Sequence, residues 1–466
     1  MQPVLLIDFG STYTKLTAVD TQARSILGTA QAFTTAASDI SIGLEQAMQR
    51  LTEKTGPLEF SARLACSSAA GGLRMVACGL VPALTAKAAR FAAFGAGAKV
   101  IQTYSYELTE QDAAEIARIN PDILLLVGGI DGGNSDVVKA NARVIAGIEG
   151  TFPVVFAGNR AALADCRDTL AASTHPVYTA SNVMPTLGKL DAAPVQQVIR
   201  EIFLQRIIQF KGLSQFSDIL DGILMPTPAA VLAALTLLSR GTSRRTGIGD
   251  LVAVDLGGAT TDVYSIASGD PINPSTYLHG LREPYVKRTV EGDIGMRYSA
   301  HGVVEAAGME ELLHVSGLTE EQAAQGLAAI DRDPSVLPQT EQDQQLDFAL
   351  AVLAIRLGLI RHAGTLEEIY TPSGPMFRQT GKDLTQVGRM LLTGGALIHA
   401  EDADGIAQQA VRTVDPHALV PRHFDTVRDK RYILSAMGLL AGHDEDAALE
   451  ILLQHFGKEE THAAAK

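Results

Sequence analysis

The sequence predicts an α/β protein made of two related halves, each opening with a hairpin of strand, glycine turn and strand. Three observations lead there. Residues 4–19 and 251–266 are self-similar, short apolar strands alternate with helices between residues 99 and 178, and 466 residues are too many for one ordinary core.

The self-similarity is the most specific of the three. Residues 4–19 read VLLIDFGSTYTKLTAV and residues 251–266 read LVAVDLGGATTDVYSI. Aligned without a gap, each gives an apolar run, Asp, an apolar residue, Gly, two small residues, a hydroxyl-bearing residue, Thr, a charged residue and an apolar-rich run. A buried apolar run, a glycine break and a β-branched return are strand, turn and strand signals. The separation is too long for a solenoid repeat, so the pattern reads as a duplicated domain.

The chemistry of such a hairpin follows from its residues. A glycine turn brings backbone N–H groups close to an anion, and Ser or Thr hydroxyls add donors. Phosphate is the natural guest. Asp8 and Asp255, at the strand ends, would repel bare phosphate, so they make sense only with a cation such as Mg²⁺ held directly or through water. The candidates for the nucleotide are Gly10, Ser11, Thr12, Tyr13 and Lys15 in the first half, and Gly257, Gly258, Ala259 and Thr260 in the second. Either hairpin alone could equally be a plain tight turn; the matched pair favours a triphosphate gripped from both ends, with Asp8 and Asp255 as metal-holding and catalytic residues.

Between the hairpins, residues 122–127 and 153–156 read as strands, and 135–147 and 160–170 as helices, the alternation of a doubly wound unit. Gly128, Gly129, Ile130, Asp131, Gly132, Gly133 and Asn134 follow the first of these strands; the loop is either a ligand contact or an ordinary turn. Residues 227–239 (TPAAVLAALTLLS) form a buried helix with a Thr-Pro entry. Residues 300–381 are expected to be largely helical and 398–410 to be a helix. Leu392, Thr393, Gly394, Gly395 and Ala396 carry a strand into a Gly-Gly turn that permits close approach to an adenosine. The domain expectation is a first half over 1–245 with an insertion at about 85–215, a second half over 246–457 with a mostly helical insertion at about 300–385, and a fraying tail at 458–466.

Composition excludes some functions. Against 38 basic residues stand 52 acidic ones, a formal charge of −14 that repels nucleic acid and anionic membrane surfaces. Cys66, Cys78 and Cys166 have no metal-site spacing and read as buried thiols of a reducing compartment. No signal peptide or convincing membrane span is apparent, so the expected location is the cytoplasm. Homo-oligomerisation is left open.

The order of these motifs resembles the actin, sugar-kinase and heat-shock-chaperone superfamily of ATPases. Asp8 through Thr14 resembles its first phosphate motif, Asp255 through Asp262 its second, and Leu392 through Ala396 its adenosine motif. The stretch MPTPAA at 225–230 is similar to the chaperone hinge helix, Ala436-Met437-Gly438 to the second hinge, and Gly292-Asp293-Ile294-Gly295 to the loop after the second phosphate motif. The resemblance implies two duplicated ribonuclease-H-like domains with inserted subdomains, binding ATP and Mg²⁺. More closely, DFGSTYTKLTAVD, LLLVGGIDGGN, VDLGGATTDVYSI and KRTVEGDIGMRYSA resemble the MutL or GlmL family found with glutamate mutase, unrelated to the DNA-repair protein of that name. That implies an ATP-driven reactivating chaperone whose partner is an adenosylcobalamin-dependent mutase, with Mg-dependent ATP hydrolysis.

One position departs from the pattern. The chaperone hinge helix opens with a Glu that places the attacking water, and Met225 stands here. Either another acid such as Glu291 or Asp262 takes that role, or hydrolysis is slow and the protein works mainly as a nucleotide switch. The alternatives are a small-molecule kinase of the same fold, which needs a cleft acid to deprotonate a hydroxyl, and an actin-like nucleotide-dependent scaffold.

Overall fold

The computed structural model describes residues 2–10, 13–34, 40–68, 73–93, 96, 98–208, 223–371 and 374–457. Two compact units divide the chain: Met1–Ala233 with Ser435–Ala447, and Ala234–Leu434 with Ala448–Lys466.

In the first unit, β1 (Pro3–Phe9) and β2 (Tyr13–Asp20) pair antiparallel with Asp8 opposite Lys15. Strand β3 (Ser25–Phe33) continues antiparallel on β2, and β4 (Ala62–Ser67) lies parallel on the other side of β1. The order is completed by β10 (Ile223–Pro226), parallel to β4. Strand β1 is central and covered on both faces, which is why its run VLLI is apolar without alternation. Helix α1 (Ile40–Thr55) lays Leu44, Ala47 and Leu51 against the core.

The second unit repeats this plan. Strands β11 (Leu251–Leu256) and β12 (Thr261–Ile266) form the hairpin, with Asp255 opposite Asp262. Strand β14 (Val286–Glu291) adds antiparallel to β12; β17 (Arg389–Thr393) and β18 (Asp425–Arg428) add in parallel beyond β11. Third strand, second, first, fourth and fifth therefore run in the same order and sense in both sheets. These are two duplicated ribonuclease-H-like domains of the actin-like fold. The core helix α11 (Glu341–His362) is capped by Thr340, whose hydroxyl accepts from Asp343 N–H while Asp343 returns a bond to the cap backbone. It is apolar around its middle because it is covered by β12, α8 (Ala300–Ala307), α9 (Met309–Ser316) and α13 (Ala403–Arg412).

The first unit also carries an all-parallel sheet of order β6-β5-β7-β8-β9, from β5 (Leu73–Gly79), β6 (Ala98–Ser105), β7 (Ile123–Leu126), β8 (Val154–Phe156) and β9 (Val177–Thr179). Its helices α2 (Pro82–Ala93), α3 (Glu110–Ile119), α4 (Asp136–Ala146) and α5 (Leu163–Ala171) alternate with the strands, as the sequence predicts for a doubly wound unit.

Two local expectations need correction. Residues 365–380 are not helical: β15 (Thr365–Thr371) and β16 (Gly374–Thr380) form a sheet with β13 (Thr276–His279). Gly364, Gly374, Pro375 and Gly381 interrupt that stretch too often for a helix, and Ile369 and Tyr370 favour a strand. The helix expected over 398–410 is split into α12 (Gly395–Ile398) and α13, because Asp402 caps the second piece by accepting from Gly405 N–H at 2.8 Å. Among the described residues, no helix is long and apolar enough to cross a membrane.

Candidate functional site

In the first hairpin, the Gly10 N–H donates to the Tyr13 carbonyl at 3.1 Å. Ser11 and Thr12 lie outside the described residues. Asp8 is 5% exposed, and both its oxygens are engaged. Oδ1 accepts from Thr227 Oγ1 at 2.6 Å, and Oδ2 from Ser435 Oγ at 2.9 Å. Thr227 is the first residue of α7 (Thr227–Arg240), and Ser435 lies in the first turn of α14 (Leu434–Ala441). The carboxylate thus ties the starts of two helices to the end of β1. Beside it in register on β4 sits Cys66, whose thiol is pushed well up by burial and then by the Asp8 charge. A thiol held protonated adds no second anion there.

No sequence motif marks Thr227 or Ser435 as a site residue. Their signal was position: each stands within or next to a hinge-like segment, MPTPAA and Ala436-Met437-Gly438. Met225 is not the first residue of that helix. It lies within β10 as a strand residue paired with Cys66, with Pro226 ending the strand.

The second hairpin repeats that turn bond, Gly257 N–H donating to the Thr260 carbonyl at 2.9 Å. Here the loop after β14 shapes the turn. The Gly257 carbonyl accepts from Met296 N–H at 3.0 Å, and the Gly258 carbonyl from Arg297 and Tyr298 N–H at 2.8 and 2.9 Å. Thr261 Oγ1 donates to the Ile294 carbonyl at 3.0 Å, anchoring the same loop. With the carbonyls drawn to that side, the N–H groups of Gly258, Ala259 and Thr260 meet no backbone acceptor among the described residues. Successive N–H groups in a turn can form an anion-binding concavity.

The adenosine candidate is assembled against this hairpin. Parallel pairing of β11 and β17 places Asp255 beside Thr393. Gly394 has φ +91°, and a Cβ there would stand 2.3 Å from the Leu256 carbonyl oxygen, so only glycine permits this approach. Gly395 and Ala396 open α12, with the Tyr432 hydroxyl facing Gly395. Asp429 is buried, takes Thr393 Oγ1 at 3.4 Å and accepts from Ile433 N–H at 2.9 Å. Asp255, half-buried, the turn at 257–260 and Gly394, Gly395 and Ala396 are therefore neighbours within one unit.

The acids weighed as water-placing groups are both engaged. Asp262 pairs with Arg288 Nε at 2.7 Å in a largely buried contact. Glu291 accepts from Arg361 at 2.8 Å, and Arg361 also reaches Asp293 at 3.0 Å. Burial pushes the Glu291 carboxyl up, partly offset by Arg361. Among the described residues, no three His, Cys, Asp or Glu form an all-protein metal cage. Mg²⁺ takes one or two carboxylates and fills its shell with water and phosphate oxygen, so Asp8 and Asp255 are the groups that could hold it.

Comparison with known proteins gives one close relative and several remote folds. Protein MutL of Clostridium tetanomorphum is 44% identical over 463 residues, covering 98% of this chain and 100% of its own. The activator of the 2-hydroxyisocaproyl-CoA dehydratase from Clostridium difficile, solved with bound ADPNP, is 9% identical at TM-score 0.34, covering 99% of this chain and 100% of its own. A diol dehydratase-reactivating factor in nucleotide-free form is 11% identical at TM-score 0.35, covering 95% and 100%. Similarity at that level carries no weight for the fold, which rests on the two matched sheets. The family model described as MutL protein matches residues 4–456. By that span and by its identity to the clostridial protein, the chain belongs to the MutL family.

Proposed function

We propose that this chain is a Mg-ATP-dependent reactivating chaperone for an adenosylcobalamin-dependent mutase such as glutamate mutase, acting in the cytoplasm. The observation that carries the reading is the pair of hairpins with the same turn bond, Gly10 to Tyr13 and Gly257 to Thr260, in sheets of the same order. Membership in the MutL family supports the client class.

In this reading Asp8 and Asp255 are the carboxylates that would hold Mg²⁺. The turn amides and Lys15 hold phosphate, and Gly394, Gly395 and Ala396 lie along the adenosine. Bound Mg²⁺ would supply neutralisation of the phosphate charge. The chain's own contribution is coupling. Asp8 shares its two oxygens with the hydroxyls of Thr227 and Ser435, so any change of its load is felt at the starts of α7 and α14. A bistable element biased by the γ-phosphate is the usual way a nucleotide state becomes motion. With Met225 unable to orient water and Asp262 and Glu291 both salt-bridged, hydrolysis is slow and the switch dominates.

The test is to mix the protein with an inactivated adenosylcobalamin mutase, ATP, Mg²⁺ and fresh cofactor. Recovery of mutase activity that requires both ATP and the chain is expected. No recovery with a glutamate mutase, while the protein still binds Mg-ATP, would overturn the client assignment.

A further inference from the structure

The all-parallel sheet of the first unit has a cavity at its carboxyl edge that shares no residue with the hairpins. Within this sheet the first strand, β5, lies between the second, β6, and the third, β7. The connections therefore leave β5 to one side and then return to the other. In open parallel sheets the crevice beyond the carboxyl ends at such a reversal is where ligands are bound. Leu80 follows β5 directly and Val127 follows β7, and both line the cavity.

We infer that this cavity is a second ligand site, built for a neutral, largely apolar ring. Its volume is about 200 Å³, above the roughly 150 Å³ that suffices for a benzene-sized guest. Leu80, Leu84, Ala88, Val127, Val183 and Met184 make its wall, and no charged side chain lines it. Thr85 supplies its only hydroxyl, and the other polar lining side chains are Asn134 and Asn182, the latter with its amide N–H groups spent on Gly129 and Asp131. An apolar body with one hydrogen-bonding group suits such a wall, whereas a phosphate or carboxylate does not.

The glycine loop at 128–134 forms one side and is rigidly held. Asn182 Nδ2 donates to the Gly129 carbonyl at 3.0 Å and to Asp131 Oδ1 at 2.9 Å. Asn159 Nδ2 donates to the Gly133 carbonyl at 2.9 Å, and its Oδ1 accepts from Gly132 N–H at 3.2 Å. Asp131 also accepts from Arg160 N–H at 3.0 Å, so this acid fastens the loop. A Cβ on Gly129 would lie 2.2 Å from the Asn134 carbonyl oxygen. The wall is formed before any guest arrives, as small-molecule sites usually are. At the mouth Ile130 and Leu187 are 37% and 76% exposed, leaving an apolar entrance in contact with water.

The probe is indole, added to the full chain carrying ¹³C-labelled methionine methyls. The Met184 methyl, assigned by Met184→Leu, is expected to shift with a Kd of about 0.01–1 mM, inside the range that ligand efficiency permits for a ring of this size. The remaining methionine methyls stay in place. Leu187→Asp, at the exposed mouth, is expected to weaken the shift at least about fivefold, and Ala88→Leu to abolish it by filling the space. A Met184 signal unmoved at about 5 mM indole would overturn the proposal. So would equal binding by Leu187→Asp, a variant that decides the matter even where Ala88→Leu does not fold.

Discussion

At the residue scale, the Asp8 carboxylate is buried and held at both oxygens. Its hydroxyl donors come from positions 219 and 427 residues away. Asp8 itself was legible because it stands between an apolar strand and a glycine turn, a local pattern. Thr227 and Ser435 were not, because a hydroxyl becomes a partner only once distant segments pack. Thr227→Val leaves Asp8 Oδ1 without its donor and should cost about 1–3 kcal/mol by denaturant melting, with ATPase reduced about tenfold or more; Thr227→Ser should restore most of both. Lys382 makes a second prediction. It is buried and donates to the Pro284 and Tyr285 carbonyls, and burial lowers its ammonium to about 7. The unfolded chain keeps that proton to about 10.4. Between those values the unfolded state binds more protons, so this group's contribution to stability rises with pH there and is at its least below pH 7. Chemical melts of wild type and Lys382→Met should show that slope as a difference between them.

At the element scale, periodicity and turn chemistry located the hairpins and the helix that became α7, since each is a local apolar pattern with clear ends. They failed at β15 and β16, where a strand pair between helical segments was absorbed into them. They also failed to divide α12 from α13, which depends on Asp402 acting as a cap. The contact of α7 with α14 was out of reach for the same reason as Ser435. A Cβ on Gly438 would stand 1.8 Å from the Ala230 carbonyl oxygen, so α14 meets α7 at backbone distance. Gly438→Ala must push the two helices apart. We expect a loss of about 1–3 kcal/mol in a thermal or denaturant melt, and weakened Mg-ATP binding because Thr227 and Ser435 move with their helices. A variant that melts like wild type would contradict that geometry.

At the scale of the whole molecule, the duplication read from residues 4–19 and 251–266 reappears as two sheets of one topology. What a pattern of sixteen residues could not tell was the all-parallel sheet's strand order, because order is set by long-range pairing and not by local composition. If both halves serve one nucleotide, removing either aspartate must damage the same binding event. The direct measurement is isothermal titration of Mg-ATP into wild type, Asp8→Ala and Asp255→Ala, with folding of each checked by circular dichroism. Each single variant is expected to lose at least about 2 kcal/mol of binding, some thirtyfold in Kd. A folded Asp8→Ala or Asp255→Ala that bound Mg-ATP as tightly as wild type would contradict that expectation.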